Sequence, residues 1–109
     1  MQPQKRKVMH YAAGNRDLFG EWLQSLPDIS GRAAIVKRIA RVEEGNFGDH
    51  RSVGQGVWEL RIDHGPGYRV YYGEDGPLII LLICGGDKVT QKRDIRKARL
   101  LWAAYGGRI

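Results

Sequence analysis

Residues 56–72 read Gly-Val-Trp-Glu-Leu-Arg-Ile-Asp-His-Gly-Pro-Gly-Tyr-Arg-Val-Tyr-Tyr, two alternating segments on either side of a Gly-Pro-Gly turn. This pattern predicts a β-hairpin. Successive side chains of a strand point to opposite faces, so Trp58, Leu60 and Ile62 share an apolar face and Arg61 falls on the other. Arg69 falls on the more polar face of the second strand. The hairpin therefore predicts one arginine near the centre of each of two paired strands.

These two arginines have two interpretations. In the first, Glu59 and Asp63 neutralise them in a cross-strand ladder of ion pairs, which stabilises a fold little when it is exposed. In the second, they hold an anionic ligand, because the planar guanidinium fork binds phosphate through two hydrogen bonds. Directly opposed residues of an antiparallel pair are only ~5 Å apart, so two like charges there need a compensating partner.

Two further cations are expected beside this pair. Arg51 lies in residues 45–56, a glycine-rich segment that is predicted to be irregular. Lys88 follows the almost wholly apolar run of residues 77–84, which predicts a strand covered on both faces. Both side chains can therefore reach the edge of the sheet that carries the two arginines.

The remaining segments predict helices and one more strand. Apolar side chains recur with helical spacing over residues 17–26, from Asp28 or Ser30 to about Glu44, and in the basic segment 88–105. In the second helix the buried stripe is predicted to contain Ile35, Val36, Ile39 and Val42, and four basic residues are predicted to stay outside it: Arg32, Lys37, Arg38 and Arg41. A short strand is predicted near residues 6–12. This order predicts one small α+β domain over residues 1–109, with two N-terminal helices and a C-terminal helix packed on an antiparallel sheet.

Composition narrows the classes of partner and cellular location. The chain carries 18 Lys and Arg against 12 Asp and Glu, a formal net charge of +6, which favours a polyanionic partner such as nucleic acid. Cys84 is the only cysteine, and no Cys/His cluster has metal-ligand spacing, so neither a disulfide nor a metal site is expected. The basic N-terminus lacks a following apolar segment, and no run approaches the ~20 residues of a membrane span. The expected location is the reducing cytosol.

A cluster of cations can contribute to RNA cleavage as well as to binding. The neighbouring 2′-hydroxyl of RNA is itself the nucleophile, and fixed cations stabilise the charge that develops on the phosphate. Arginine is a poor general base, so proton transfer is left to Lys88, Tyr71, His50 or His64. Tyr71 is also predicted to stack on a base because it lies beside Arg69. The basic last helix has two interpretations, a solvated face or a contact with nucleic acid.

A series of segments carries a resemblance that extends from about residue 8 to residue 105. They are Gly56–Asp63, Gly65–Tyr72 and Leu82–Lys88, followed by Gln91, Asp94 and Tyr105. In this combination the sequence resembles the RelE/ParE superfamily of type II toxins, and more narrowly its HigB-like addiction module killer protein branch. The resemblance implies a RelE-like fold and a toxin that inhibits translation by ribosome-dependent mRNA cleavage without a metal or other cofactor. It also implies a cognate antitoxin with a helix-turn-helix, and the ribosome and mRNA as further partners.

The resemblance assigns site residues by position. Arg61 matches the catalytic strand arginine of the family, Arg69 the Tyr-Arg of the next strand, and Lys88 the basic residue after the last strand. These three residues are predicted to be catalytic. Residues predicted to bind RNA are Arg51, Tyr71, Gln91 and Lys92. Some members carry a further catalytic Tyr or His where this chain has residues 88–91, so the proton-transfer group stays open. ParE-type relatives share the fold but poison DNA gyrase without cutting RNA, which is the alternative function.

Overall fold

The structure, a computed structural model, describes residues 3–106, so the first two residues of the basic N-terminus and residues 107–109 lie outside the described part. The described chain contains three helices and a mixed five-stranded sheet, which confirms the predicted α+β class. In chain order the elements are β1 (Lys7–His10), β2 (Ala12–Ala13), β3 (Arg16–Asp17), α1 (Leu18–Ser25), α2 (Ile29–Glu43), β4 (His50–Gly54), β5 (Val57–Ile62), β6 (Tyr68–Asp75), β7 (Ile79–Asp87) and α3 (Gln91–Gly106).

The helices begin where the sequence provides capping side chains. Asp17 accepts a hydrogen bond from the Gly20 N–H at 2.9 Å and caps α1, and Asp28 does the same for α2 through the Gly31 N–H. Such caps satisfy backbone donors that have no partner within the helix. Both predicted N-terminal helices are therefore confirmed, and each has an aspartate as its N-cap residue.

The sheet has the order β1-β7-β6-β5-β4. The hairpin of β5 and β6 is antiparallel and pairs Leu60 with Val70, and β7 lies inside the sheet as its apolar sequence predicts. The expectation of a wholly antiparallel sheet is wrong at one edge, because β1 pairs parallel to β7. The segment 45–56 is not wholly irregular either, because β4 pairs with β5 at the opposite edge.

Each face of the sheet has its own apolar cluster. On one face, Leu60, Val70 and Tyr72 pack with side chains of α1 and α2 such as Phe19 and Ile35. On the other face, α3 packs on the sheet where Val57, Tyr71 and Ile83 meet Ala98 and Trp102. Arg61 and Arg69 lie near the turn end of β5 and β6 rather than at the strand centres as predicted, and neither belongs to this second cluster.

Two side chains of α2 differ from the predicted pattern. Val36 was expected in the buried stripe but is 53% exposed, because it lies about 100° around the helix axis from the fully buried Ile35. Arg38 was expected in solvent but is half-buried, and its guanidinium reaches the loop before β4. Both differences affect surfaces described below.

Candidate functional site

A cationic cleft lies at the end of the β5–β6 hairpin. Its volume is about 430 Å³, and it is lined by Asp49, Arg61, Asp63, Gly65, Pro66, Gly67, Arg69 and Lys88. The three residues that were predicted to be catalytic therefore line one cleft. Their chemical role stays a prediction, but their convergence on one surface is a property of the fold.

The two arginines of the cleft are direct cross-strand partners, with Arg61 opposite Arg69 in the β5–β6 register. Arg69 is only 6% exposed, and its Nη1 donates a hydrogen bond to the Tyr68 carbonyl oxygen at 3.1 Å. Its Nε is buried without a hydrogen-bond partner, and no carboxylate among residues 3–106 lies within ion-pair distance of its guanidinium. A buried charge without a counterion is costly to a fold, so Arg69 suits a site that an external anion completes.

A buried carboxylate balances the neighbouring cations but not Arg69. Glu59 is fully buried, accepts a hydrogen bond from Arg51 Nε at 3.0 Å, and lies 3.7 Å from Arg61 Nε. Gln91 Nε2 donates to its other oxygen at 2.9 Å. The ion-pair interpretation therefore applies to Arg51 and, more loosely, to Arg61. Gln91 and Arg51 both contact Glu59, and neither of them lines the cleft.

Tyr71 does not have the accessibility that base stacking needs. The residue is 0% exposed and packs under α3, opposite Glu59 in the β5–β6 register. Burial, and then the nearby Glu59 carboxylate, raises the pKa of the Tyr71 phenol well above its usual range. The predictions of Tyr71 as a stacking platform and as a proton-transfer group are therefore wrong. The period-2 pattern placed Tyr71 on the polar face but could not show that a helix covers that face.

The histidines suggested for proton transfer have other contacts and do not line the cleft. The ring of His50 packs against Phe47 and Trp58, with centroid distances of 5.4 and 5.6 Å. The Nε2 atom of His64 lies 3.1 Å from the Ser30 hydroxyl. Neither residue lines the cleft, which has Asp49 and Asp63 as its carboxylates. Neither carboxylate was considered for proton transfer in the sequence analysis, although the i, i+2 spacing of Arg61 and Asp63 already predicts one face for these two residues.

Arg38 connects the backbone segments that carry two of the cleft residues, Asp49 and Arg61. Its guanidinium donates to the carbonyl oxygens of Phe47 at 2.9 Å, Arg61 at 2.8 Å and Asp49 at 2.6 Å. The Asp49 carbonyl also accepts the Arg61 backbone N–H at 3.0 Å. One side chain of α2 therefore ties the loop that carries Asp49 to the strand that carries Arg61. A basic residue among several on α2 gave no sequence signal for this role.

Arg69 and Lys88 both lie against Gly67 of the Gly-Pro-Gly turn. At Gly67, where φ is +80°, a β-carbon would lie 3.4 Å from Arg69 Nη1 and 3.5 Å from the Lys88 β-carbon. Glycine therefore suits this position both for its backbone conformation and for the close approach. Lys88 and Lys92 are both exposed, Lys88 directly after the end of β7 and Lys92 in the first turn of α3.

The remaining chemical groups of residues 3–106 point to no other centre. Within that range no three His, Cys, Asp or Glu side chains are grouped as they would be around a metal ion. Burial raises the pKa of the Cys84 thiol to about 12, which is typical of a structural cysteine. None of the described helices is both long enough and apolar enough to cross a bilayer.

Comparison with known proteins identifies the family. An uncharacterized protein of Haemophilus influenzae (strain ATCC 51907 / DSM 11121 / KW20 / Rd) is 49% identical over 88 residues, which cover 81% of this chain and 89% of that protein. Residues 21–105 match the family described as Phage derived protein Gp49-like (DUF891), a family of RelE/HigB-type toxins. This match includes α2, the whole β4–β7 sheet region and all the residues that line the cleft. The chain therefore belongs to the Gp49-like family of phage-derived proteins.

Proposed function

We propose that this protein is the toxin of a type II toxin–antitoxin pair, of the HigB-like branch, and that it inhibits translation by cutting mRNA on the ribosome. Membership of the Gp49-like family supports the toxin role. The observation that carries RNA cleavage is Arg69, a buried arginine without an acidic partner among residues 3–106, beside Arg61 and Lys88 in one open cleft. A phosphodiester bound in this cleft would supply the negative partner that Arg69 lacks among residues 3–106.

The cleft contains groups for each step of a metal-independent cleavage. The 2′-oxygen bonds to phosphorus while the bond from phosphorus to the 5′-oxygen breaks, which leaves a 2′,3′-cyclic phosphate and a free 5′-hydroxyl. Asp49 or Asp63 accepts the proton of the 2′-hydroxyl, and Lys88 donates a proton to the leaving 5′-oxygen. Arg61 and Arg69 stabilise the charge on the non-bridging oxygens, and because they are held on paired strands they need little reorganisation.

The basic surface beside the cleft extends the RNA contact. Arg51 is half-exposed although it is paired with Glu59, and Lys92 is exposed at the start of α3. In the proposal, Arg51 and Lys92 bind the phosphates that flank the cut. Gln91 positions the Glu59 carboxylate through its hydrogen bond. The partners are mRNA on the ribosome in the cytosol and a helix-turn-helix antitoxin, an acidic segment of which covers the same cations.

Mapping of RNA 5′ ends after induction tests the proposal. Expression of the wild type should arrest growth and create new in-frame 5′ ends within translated mRNA. Arg61→Ala should abolish both effects while the protein stays folded, because Arg61 lines the cleft and is not part of the apolar clusters. Arg41→Ala, at an exposed position of α2, is the matched control and should remain toxic.

Two outcomes would overturn the proposal. New mRNA ends that persist in a folded Arg61→Ala variant would remove this cleft from the chemistry. Growth arrest with DNA breaks and no new RNA ends would assign the protein to the gyrase-poisoning toxins instead.

A further inference from the structure

A second surface, separate from the cationic cleft, lies between α1 and α2. It is a groove of about 510 Å³ lined by Leu23, Gln24, Ile29, Arg32, Ala33, Val36 and Lys37. None of these residues lines the cleft. We call this surface the α1–α2 groove.

The groove exposes a second apolar stripe on α2. Ile29, Ala33, Val36 and Ala40 follow one another at i, i+4, i+7 and i+11, so they lie on one side of the helix. Ile29 is 73% exposed and Val36 is 53% exposed, whereas Ile35, about 100° around the helix axis from Val36, is fully buried in the core. Exposed apolar side chains with this spacing form the kind of seam against which another helix packs. The two alanines leave room for a close approach.

Cations flank this stripe on both sides. Arg32 lies on one side of the line from Ile29 to Val36, and Lys37 lies on the other. Neither side chain forms an ion pair with any residue between positions 3 and 106. An occupant with acidic residues beside an apolar stripe would therefore match both the shape and the charge of the groove.

We propose that the α1–α2 groove binds an amphipathic helix of a partner protein, with acidic residues on both flanks of its apolar stripe. A second copy of this chain is a poorer occupant, because a symmetric pairing of α2 helices would place Arg32 and Lys37 against the same cations of the other copy. The net charge of +6 opposes such a pairing further. The inference does not depend on RNA cleavage, since it concerns residues outside the cleft.

A designed peptide tests the binding directly. The probe is a helical peptide of about 18 residues with leucines at i, i+3, i+4 and i+7 and glutamates on both flanks. Fluorescence anisotropy of the labelled peptide should show saturable binding to the wild-type protein, weakened at least about tenfold by Val36→Glu. Leu100→Glu, at a residue that is 74% exposed on α3, is the matched control and should bind as the wild type does. Circular dichroism melts confirm that both variants are folded, as the exposure of each site predicts.

A charge exchange distinguishes this groove from general apolar adhesion. The double variant Arg32→Glu, Lys37→Glu should lose the acidic peptide and bind a version with lysines in place of the glutamates. Equal binding of the acidic and lysine peptides to the wild type, or unchanged binding to folded Val36→Glu, would overturn the proposal. A concentration-dependent dimer that Val36→Glu abolishes would also overturn it, because the occupant would then be a second copy.

Discussion

Replacement of Arg69 by methionine should separate the stability of the protein from its activity. The arginine is 6% exposed, has no acidic partner among residues 3–106, and has an Nε that forms no hydrogen bond. Methionine fills a similar volume without a charge, which relieves about 1–3 kcal/mol of unsatisfied polar burial. The hydrogen bond to the Tyr68 carbonyl is lost, and a bond from a charged donor contributes about 1.5–3 kcal/mol. The two effects nearly cancel, so the free energy of unfolding should stay within about 1 kcal/mol of the wild-type value.

The effect on activity should be much larger. Loss of a charge-assisted contact to the phosphate costs about 1.5–3 kcal/mol of transition-state stabilisation, which corresponds to a fall in cleavage rate of roughly 10- to 150-fold. Were Arg69 instead half of a structural ion pair, its removal would cost the fold about 3–5 kcal/mol.

Urea unfolding and cleavage assays on the same purified proteins measure both quantities. Arg41→Met is the control, since Arg41 is exposed on α2 and should affect neither stability nor cleavage. A loss of more than about 2 kcal/mol of stability in Arg69→Met would show that Arg69 supports the fold and would refute the reasoning. Wild-type cleavage by a stable Arg69→Met protein would refute it equally.

Three further substitutions test the surroundings of the cleft. Arg38→Ala removes three hydrogen bonds to backbone carbonyls, so it should lower the free energy of unfolding by about 2–4 kcal/mol and slow cleavage. Thermal unfolding identical to that of Arg41→Ala would contradict this prediction. At Gly48, φ is +70° and a β-carbon would lie 2.9 Å from the Arg38 guanidinium, so Gly48→Ala should cost about 1–2 kcal/mol in the same assay. Hydrogen bonds from the Gly31 N–H, and then from Ser30 and Tyr68, lower the pKa of Asp28. A carboxylate with a lowered pKa stabilises the fold above its unfolded pKa of about 3.9, and this contribution is lost as the pH falls through the folded pKa. Asp28→Asn should therefore flatten the fall in melting temperature below about pH 4, and an unchanged slope would show that Asp28 does not contribute.

Most of the fold could be predicted because local patterns and tertiary packing agree. The alternation around Leu60 and Val70 reports a strand pair with one apolar face, and that face does pack on α1 and α2. The aspartates at positions 17 and 28 mark the helix starts because only a few side chains can accept from the first free N–H groups. The same alternation predicted that Arg61 and Arg69 share a face. The strand register confirms this, because it pairs the two residues directly.

The errors concern contacts between segments that are distant in the chain. Tyr71 is buried because α3 returns over the polar face of the hairpin, and no strand pattern contains that information. Strand β4 lies at the edge of the sheet with His50, Arg51 and Ser52 exposed, so it lacks the apolar alternation of a half-buried strand. Arg38 differs from the exposed basic residues of α2 only through carbonyl groups that tertiary folding brings to it.

The parallel pairing of β1 with β7 has a consequence for the order of events during synthesis. Lys7 pairs with Ile79 and His10 with Leu82, so the first strand of the sheet has its neighbour only after most of the chain has been made. Closing so long a segment costs chain entropy before the new strand contacts compensate for it, which slows folding. While a ribosome is still producing the protein, its N-terminal strand therefore lacks its partner strand, and the nascent chain completes its sheet only late in translation.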